Sequence, residues 1–312
     1  MNRLRICYIG AGRFTNRRNF PHLAEHNVDL VAVCDLEEEK ARKAQEEYGF
    51  GKVYTDFREM LEKEKPDAVF CVGPHRMHYG VGKEVLDMGF PLYTQKPPAA
   101  NGQMAQEMAD IARREGVVAH TGFTLRFSKA FRDMKRVMAS RAFGRPTLCI
   151  VRYMVRTGSD LRAAAIDMNS HAVDAGRFFM GDIEKLKVEG GWQEGVRSYV
   201  ATASFKSGAV GTFNFSSGMM GGEIMDVQIV GEEGHVVTDR RYKAPGKSEE
   251  RIGVLEAGQG PHHASGSWWD VENYLNAVRG VEEDISPIQS AARTMQDVDV
   301  IIAQLEEMGA AL

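Results

Sequence analysis

Short apolar runs alternate with charged, helix-like stretches along the first 122 residues. Runs such as Leu4–Ile9 and Ala68–Val72 are apolar almost throughout, which is typical of parallel strands buried on both faces. The stretch 36–48 is rich in Glu, Lys, Arg and Ala and predicts a helix with one solvent-exposed face. The remaining strands are expected at 28–34, 52–55, 92–94 and 117–121. Six strands alternating with helices predict a doubly wound parallel sheet of the α/β class.

Helix ends are marked by residues that favour them. Asp56 and Asn101 precede helical stretches, and their side-chain oxygens can accept from the first free backbone N–H groups. Gly89 and Gly116 follow such stretches, at the position where a left-handed residue commonly ends a helix. These signals predict helices over 57–65, 76–88 and 102–115.

The pattern changes after residue 122. Ser128 is an N-cap candidate for a helix that reaches about residue 140, and a further helix is expected within 161–179. Strands then follow one another, expected at 147–156, 198–205, 209–215, 226–231 and 235–238, with a polar loop at 239–251. Helices are expected at 268–278 and 288–308. Strands grouped together, with the helices apart from them, predict an α+β domain with an open, mostly antiparallel sheet.

The two patterns predict two domains, 1–122 and 123–312, with the last helix able to pack back on the first. A chain of 312 residues exceeds the size at which one hydrophobic core usually stops growing, which agrees with this division. One face of the second sheet would expose apolar positions unless a second subunit covers it. We therefore expect a homodimer or homotetramer.

Composition and charge exclude several classes of protein. The chain has 43% hydrophobic and 26% charged residues, and its 39 basic and 43 acidic residues leave a net charge of −4. No basic cluster predicts nucleic-acid binding, and no apolar run is long enough to predict a membrane span. The four cysteines lie in or beside apolar runs without metal-type spacing, and the N-terminus lacks a signal-peptide pattern. We expect a cytoplasmic protein with reduced thiols.

The first strand leads into a glycine turn, Gly10-Ala11-Gly12, and then into a predicted helix. The first glycine permits a tight turn, the second lets the backbone approach a pyrophosphate, and the helix N-terminus offers N–H groups. Asp35 follows the second strand, 25 positions after Gly10, close to the offset expected for an acid that binds ribose hydroxyls. The pattern predicts an NAD site at Gly10, Gly12, Arg13, Phe14 and Asp35. NADP is disfavoured because a carboxylate repels its 2′-phosphate. A nucleotide-free strand–turn–helix unit is the alternative.

The turns after the fourth and fifth strands are expected at the same edge of the sheet as the glycine turn. They contain the other predicted cofactor-binding residues, Pro74, His75, His78, Gln95 and Lys96. Lys96 comes before two prolines, so it lies on stiff backbone, and its ammonium can donate to a substrate oxygen. His78 is also a weaker candidate for substrate contact. The residues alone leave open that Lys96 is a solvated surface lysine.

A third group of polar residues lies within the helix expected at 161–179. Asp167 and His171 are four residues apart and share a face of an α-helix, and Asp174 is three residues further on. An imidazole oriented by a carboxylate is suited to act as a general base near neutral pH. A helix N-cap with a structural histidine is the alternative. No third ligand stands at a diagnostic spacing, so no metal is expected. Arg126 and Arg156 are weaker candidates for substrate contact.

Taken in order, these motifs resemble the Gfo/Idh/MocA oxidoreductase family over essentially the whole chain. They are the Gly-Ala-Gly-Arg turn, the acid after strand two, the histidine turn after strand four, the Lys-Pro after strand five and the D-x-x-x-H-x-x-D helix. The resemblance implies a Rossmann domain and a C-terminal domain whose open sheet makes subunit contacts. It also implies NAD(P)-dependent oxidation or reduction at a secondary alcohol of a sugar or cyclitol. The E-K-P lysine of the family matches Lys96, and its helix Asp and His match Asp167 and His171.

The chain departs from the family pattern at three places. Gln95 stands where the E-K-P motif has glutamate, Ala163–Ala165 replaces a glycine-rich approach to the catalytic helix, and Thr15 replaces the third glycine of the turn. The particular sugar and carbon therefore cannot be assigned by resemblance. Two alternatives stay open: an NAD-dependent hydrolase or lyase that oxidises its sugar transiently, and a non-catalytic nucleotide sensor.

Overall fold

The computed structural model describes residues 3–155, 161–193, 196–217, 223–243, 250–251 and 266–309. The chain divides into two compact units. The first comprises Met1–Phe127 with Pro261–Arg293, and the second comprises Ser128–Gly260 with Thr294–Leu312. The first unit thus includes a late segment of the chain as well as its N-terminal part. Over the described ranges, none of the helices combines the length and apolar character that crossing a membrane requires.

The first unit is built on a six-stranded sheet. Its strands are β1 (Leu4–Ile9), β2 (Val28–Cys34), β3 (Lys52–Tyr54), β4 (Ala68–Cys71), β5 (Leu92–Gln95) and β6 (Ala119–Gly122). Neighbouring strands are parallel, in the order β3-β2-β1-β4-β5-β6. The predicted doubly wound parallel sheet is confirmed. The strand order reverses direction between β1 and β4, and ligands of such sheets bind at this switch point.

Helices connect these strands. They are α1 (Arg13–Arg18), α2 (Phe20–Leu23), α3 (Glu38–Tyr48), α4 (Phe57–Glu64), α5 (His75–Asp87) and α6 (Gly102–Glu115), followed by a 3₁₀ turn at Thr124–Phe127. The predicted caps are confirmed, since Asp56 accepts from the backbone N–H groups of the first turn of α4 and Asn101 does so at α6. Gly116 ends α6 in the left-handed conformation, with φ of 66°.

The second unit contains a seven-stranded sheet. Its strands are β7 (Pro146–Val155), β8 (Ile183–Gln193), β9 (Val196–Phe205), β10 (Val210–Ser216), β11 (Glu223–Gly231), β12 (Val236–Lys243) and β13 (Glu250–Arg251). The order is β13-β12-β11-β7-β10-β9-β8. β7 and β10 are parallel and the other neighbours antiparallel, so the predicted open, mostly antiparallel sheet is confirmed.

One local expectation in this sheet is wrong, and one strand was missed. Residues 239–243 continue β12 instead of forming a loop, because β11 pairs with them from Val227–Asp239 to Glu223–Lys243. β8 was not predicted, although Leu186 and Val188 alternate with Lys185 and Lys187 in the period of two that a strand requires. Both segments are strands because they pair with a neighbouring strand. Their polar residues concealed this strand character in the sequence.

The later helices are α7 (Lys129–Met138), α8 (Leu161–Ala164), a π-helical turn (Ala165–Asn169), α9 (Ser170–Met180), α10 (Ser267–Val278) and α11 (Ile288–Glu307). Ser128 caps α7 as predicted, accepting from the backbone N–H of Phe131. α9 contacts β7, β10 and β11. A Cβ at Gly176 of α9 would lie 2.5 Å from the Phe213 ring, so glycine permits this close approach. The contact fixes α9 on the sheet.

Aromatic side chains fill the core of the first unit. Tyr8 of β1 stacks on Phe70 of β4, with ring centroids 5.4 Å apart. Tyr274 of α10 meets Phe70 edge-on at 5.2 Å and lies 5.6 Å from Tyr93 of β5. All four rings are fully buried, and such pairs contribute about 0.5–1.5 kcal/mol each beyond the area they bury. These contacts make α10 part of the core beneath the parallel sheet.

The four cysteines are buried free thiols, Cys7, Cys34, Cys71 and Cys149. Burial raises the pKa of both Cys7 and Cys34 to about 12, so these side chains stay protonated at neutral pH and are poor nucleophiles. Nowhere in the described part of the chain do three or more His, Cys, Asp or Glu side chains form a group suited to a metal ion.

Candidate active site

The turn after β1 has the geometry that its glycines predict. Gly10 has φ of +100°, and a Cβ there would lie 2.2 Å from the Val72 carbonyl oxygen. Conformation and packing therefore both require glycine. Gly12 is the N-cap of α1, and no atom lies within 4 Å of the place where its Cβ would be. This open space beside a helix N-terminus fits a pyrophosphate group.

Asp35 holds the glycine turn against the end of β2. Its Oδ2 accepts from the Ala11 backbone N at 2.8 Å, and its Oδ1 accepts from the Glu37 backbone N at 3.0 Å. The Gly10 N–H donates to the Cys34 carbonyl at 2.8 Å. The predicted acid and the predicted turn are therefore brought together by direct hydrogen bonds.

The first turn of α1 offers two side chains beside this space. Arg13 and Phe14 are exposed, Phe14 with 52% of its surface accessible. Thr15, which stands in the place of the third glycine, is buried. Its side chain therefore belongs to the packing of α1, whereas Arg13 and Phe14 are accessible to a ligand.

The turn after β4 is tied to the segment after β5 by His78. Pro74 is the N-cap of α5 and His75 its exposed first residue. His78 is buried; its Nε2 accepts from the Gly73 backbone N at 3.0 Å, and its Nδ1 donates to the Pro97 carbonyl oxygen at 2.9 Å. A neutral imidazole that accepts at Nε2 carries its proton on Nδ1. His78 thus holds two turns at the carboxyl edge of the sheet.

Lys96 directly follows β5 and is joined to Pro97 by a cis peptide bond. Its side chain is partly exposed, while that of Gln95 is buried. In the sheet, β4 alone separates β5 from β1. Because all these strands are parallel, Lys96 lies at the same edge of the sheet as the glycine turn, two strands away.

A buried cluster that the sequence patterns did not predict lies behind Gln95. The Gln95 Nε2 donates to the Tyr93 hydroxyl at 2.6 Å, and that hydroxyl donates to Asp270 Oδ2. Asp270 Oδ1 lies 3.1 Å from His120 Nε2, and His120 Nδ1 lies 2.7 Å from Asp284 Oδ1. These residues come from segments far apart in the chain, so no local spacing could reveal them.

His120 is the positively charged centre of this cluster. Burial by itself lowers the pKa of His120, but the charges of Asp284 and Asp270 and their hydrogen bonds raise it to about 9. The imidazolium form is therefore retained at neutral pH. Because the folded-state pKa is raised, the stabilisation is fully present below the ordinary value of 6.5 and is lost as the pH rises through about 9.

In the second unit, Asp167 lies in the π-helical turn and His171 lies in the first turn of the next helix, α9. Their spacing predicts that both residues lie on one face of a single α-helix. In the structure they belong to two consecutive helical segments. Asp167 is exposed and His171 partly buried. Asp174 is buried and accepts from the Thr294 hydroxyl at 3.2 Å, so it joins α9 to α11. π-Helical turns frequently occur at functional sites.

Two further residues lie near His171. The Tyr153 ring centroid on β7 is 6.3 Å from that of His171, and the Tyr153 hydroxyl donates to Glu223 Oε1 at 3.0 Å. Burial raises the pKa of Tyr153, and the charges of Glu223 and Asp167 raise it further. Tyr153 therefore stays a neutral phenol. Strand alternation marks Tyr153 as an inward position of β7, which is the one sequence signal that could have found it.

The two arginine candidates have different outcomes. Arg126 is buried and donates to the Ile285 carbonyl at 2.8 Å and to the Ser290 hydroxyl at 2.9 Å. It thereby joins the 3₁₀ turn to the late segment of the first unit. Arg156 lies outside the described residues.

Comparisons with known proteins agree with this geometry. The family model described as an oxidoreductase family with an NAD-binding Rossmann fold matches residues 4–123, and the model of the GFO/IDH/MocA C-terminal domain matches residues 131–237. D-glucoside 3-dehydrogenase of Escherichia coli (strain K12) is 30% identical over 190 residues, 57% of this chain and 54% of that protein. The match thus spans about half the length of that relative. Myo-inositol 2-dehydrogenase of Thermotoga maritima is 24% identical over 253 residues, 76% of this chain and 75% of that protein.

A solved structure supports the fold over the whole chain. The dehydrogenase from Chromobacterium violaceum has a TM-score of 0.88 at 19% identity and covers 99% of this chain and 97% of its own. The two family models match the two units in the order in which they occur along the chain. The glycine turn, Asp35 and the parallel sheet fall within the first match. The chain therefore belongs to the Gfo/Idh/MocA oxidoreductase family, and its first unit has the NAD-binding Rossmann fold of that family.

Proposed function

We propose that this protein is an NAD-dependent dehydrogenase that transfers hydride between the cofactor and a secondary alcohol or ketone of a sugar, cyclitol or related polyol. The position of Lys96 carries the proposal, because this cation lies at the same edge of the sheet as the open glycine turn. Ligands of open parallel sheets bind at that edge. The names of the two curated relatives, a glucoside and an inositol dehydrogenase, support the substrate class.

The residues of the first unit fit an NAD molecule. Gly10 permits the tight turn, and Gly12 borders the open space that we assign to the pyrophosphate, with the exposed Arg13 and Phe14 beside it. Asp35 offers a carboxylate to the adenosine ribose, which favours the free hydroxyls of NAD over the 2′-phosphate of NADP. At the nicotinamide end we assign the turns after β4 and β5, with Pro74, His75, His78, Gln95 and Lys96.

In the proposed chemistry, two side chains of this protein assist the oxidation of the substrate alcohol. NAD, when bound, supplies the acceptor for the hydride that leaves the carbinol carbon. We assign His171 as the base that takes the hydroxyl proton, with Asp167 orienting it or binding a neighbouring hydroxyl. The Lys96 ammonium stabilises the negative charge that develops on the substrate oxygen. In the reverse direction His171 returns the proton.

Tyr153 and Glu223 extend this assignment to substrate binding. Glu223 accepts from the Tyr153 hydroxyl through one carboxylate oxygen, and a carboxylate has further lone pairs that accept from sugar hydroxyls. The ring of Tyr153 lies beside His171. We propose that this pair binds the hydroxyl groups next to the reacting carbon.

A substrate screen tests the proposed function. Polyols, cyclitols and glycosides are incubated with NAD or NADP, and both NADH absorbance and release of a leaving group are followed. A dehydrogenase produces NADH in proportion to the oxidised product, with NAD preferred over NADP. Group release without net NADH would instead show an NAD-dependent hydrolase or lyase. Binding of NAD with no turnover of any substrate would show a sensor.

We further propose that the open face of the second sheet binds a second copy of the chain. The face carries partly or fully exposed apolar side chains, namely Leu148, Ile150, Val200, Val210, Val230 and Val236. Part of it forms an open groove of about 670 Å³. Light scattering of the purified protein should give a mass of at least twice 34.7 kDa. A monomer mass at micromolar concentration would contradict this arrangement.

A further inference from the structure

The hydrogen-bond donors of the buried cluster formed by Tyr93, Asp270 and His120 explain why position 95 is glutamine and not the glutamate of the family pattern. The Tyr93 hydroxyl has one proton, which it donates to Asp270. Its oxygen can therefore only accept from a further neighbour. Gln95 supplies that donor through Nε2 at 2.6 Å. A glutamate carboxylate has no proton to donate. At this position its oxygen would lie against the Tyr93 oxygen, and neither atom could supply a proton for a hydrogen bond.

Charge adds to this requirement. Asp270 is fully buried, and one hydroxyl group separates it from the Gln95 side chain. A carboxylate at position 95 would place a second negative charge beside it in the same low-dielectric interior, which costs free energy unless one of the two groups takes up a proton. His120 is already shared between Asp270 and Asp284.

The neighbouring strand leaves room for this hydrogen bond. Gln95 pairs with Gly122 across β5 and β6. A Cβ at Gly122 would lie 2.6 Å from Gln95 Nε2 and 2.7 Å from the Tyr93 hydroxyl. The glycine thus permits both side chains to occupy the space where they meet.

The same residues bracket Lys96. On one side, the Gln95 side chain is held by Tyr93. On the other, the Pro97 carbonyl accepts from His78 Nδ1 at 2.9 Å. The backbone that carries the lysine is thus fixed on both sides by buried groups, and a displacement of about 1 Å at a reacting group can cost about 100-fold in rate.

We propose that Gln95 is a positioning residue that holds Lys96 in place through its hydrogen bond to Tyr93, which is in turn bound to Asp270. While position 270 is a carboxylate, the direction of these hydrogen bonds requires an amide at position 95. This inference rests on the proposed role of Lys96. It predicts that Gln95→Glu, which restores the glutamate of the family pattern, impairs this protein.

The hydrogen-bond directions can be reversed by a second substitution. In the double variant Gln95→Glu/Asp270→Asn, the Tyr93 hydroxyl donates to the carboxylate introduced at position 95. The amide introduced at position 270 donates its N–H to the Tyr93 oxygen, and its carbonyl oxygen accepts from His120. Each hydrogen bond between positions 95, 93, 270 and 120 again runs from a donor to an acceptor, and the buried negative charge is moved from position 270 to position 95. The double variant should therefore recover what the single variants lose.

The first measurement is kcat at pH 7 for the three variants. We expect Gln95→Glu to lose about tenfold or more, and the double variant to regain about tenfold over it, as coupled neighbours do. The thermal midpoint should follow the same pattern. Gln103→Glu is the control, because Gln103 is exposed in the first turn of α6 of the same unit. It should leave kcat unchanged and, as an acid near a helix N-terminus, should not lower the thermal midpoint.

The pH profile provides the second measurement. Protonated glutamate offers an O–H donor as the amide does, so the kcat of Gln95→Glu relative to the wild type should rise as the pH falls from 8 to 6. The titratable groups around the position are Lys96 next to it, Tyr8 on β1, Tyr93, His120 on β6, Asp270 and Tyr274 on α10, and Asp284. The wild type and the variant both contain these groups, so a change with pH in the ratio of their kcat values reports the substitution at position 95.

The outcomes separate this inference from the proposed function. Wild-type kcat in Gln95→Glu, or a double variant no better than the worse single variant, would overturn the inference even if Lys96→Ala showed its expected loss of kcat. Full activity in Lys96→Ala would instead overturn the proposed function. In that case coupling between positions 95 and 270 would appear in the thermal midpoint alone, and the positioning role would be rejected.

Discussion

Lys96→Ala is expected to reduce kcat by about 100- to 1,000-fold while NAD binding changes little. The substitution removes the cation assigned to the substrate oxygen, and loss of one such preorganised donor has an effect of about this size. Lys96 lies two strands from the glycine turn, so the pyrophosphate and adenosine contacts stay in place. Steady-state kinetics with the substrate from the screen, together with calorimetric titration of NAD, measures both quantities.

The matched control is Lys83→Ala. Lys83 lies in α5 of the same unit, is partly exposed, and forms a surface ion pair with Asp87 at 3.8 Å, which contributes about 0–1 kcal/mol. Its removal should leave kcat and NAD affinity unchanged. Equal rates for the Lys96 and Lys83 variants would remove Lys96 from the mechanism.

His171→Ala is expected to lower kcat by about 100- to 10,000-fold, the range that a positioned general base supplies. His171 lies in the second unit, so NAD binding in the first unit should persist. Since the variant lacks only the base, added imidazole should restore part of the rate, and the restored rate should increase with the fraction of imidazole that is neutral.

His235→Ala is the control for this substitution. His235 belongs to the second unit and is exposed in the turn between β11 and β12, far from α9 in sequence. It should behave as the wild type. A His171 variant with unchanged kcat, or one that added imidazole does not accelerate at any pH, would assign the proton transfer to another group.

Much of the fold could be predicted because local signals and tertiary structure agree. The glycine turn needs a positive φ at Gly10, and Asp56, Asn101 and Ser128 cap helices as their chemistry favours. The parallel strands are apolar because both of their faces are buried. In each case the deciding interaction lies within a few residues of the chain.

The features that were missed depend on partners distant in sequence. Asp270 has the sequence context of an ordinary polar helix position, and its burial against Tyr93 and His120 follows only from the position of α10 in the first unit. The polar end of β12 is a strand because β11 pairs with it. The Arg126 guanidinium donates to the Ile285 carbonyl, a contact between distant segments that no local pattern predicts, and its role in substrate contact stays a prediction. Lys96 and His171 as catalytic residues stay predictions.

The position of α10 also determines when the nucleotide-binding unit can finish folding. Val271, Tyr274 and Leu275 belong to the same buried cluster as Tyr8 and Phe70, yet they are translated after all the strands of the second sheet. During synthesis, the aromatic rings of β4 and β5 therefore lack their contacts with α10 until nearly the whole polypeptide has emerged. A gene fragment ending at codon 122 would encode a Rossmann sheet with one side of its core uncovered, so one cut cannot separate this protein into two independently stable halves.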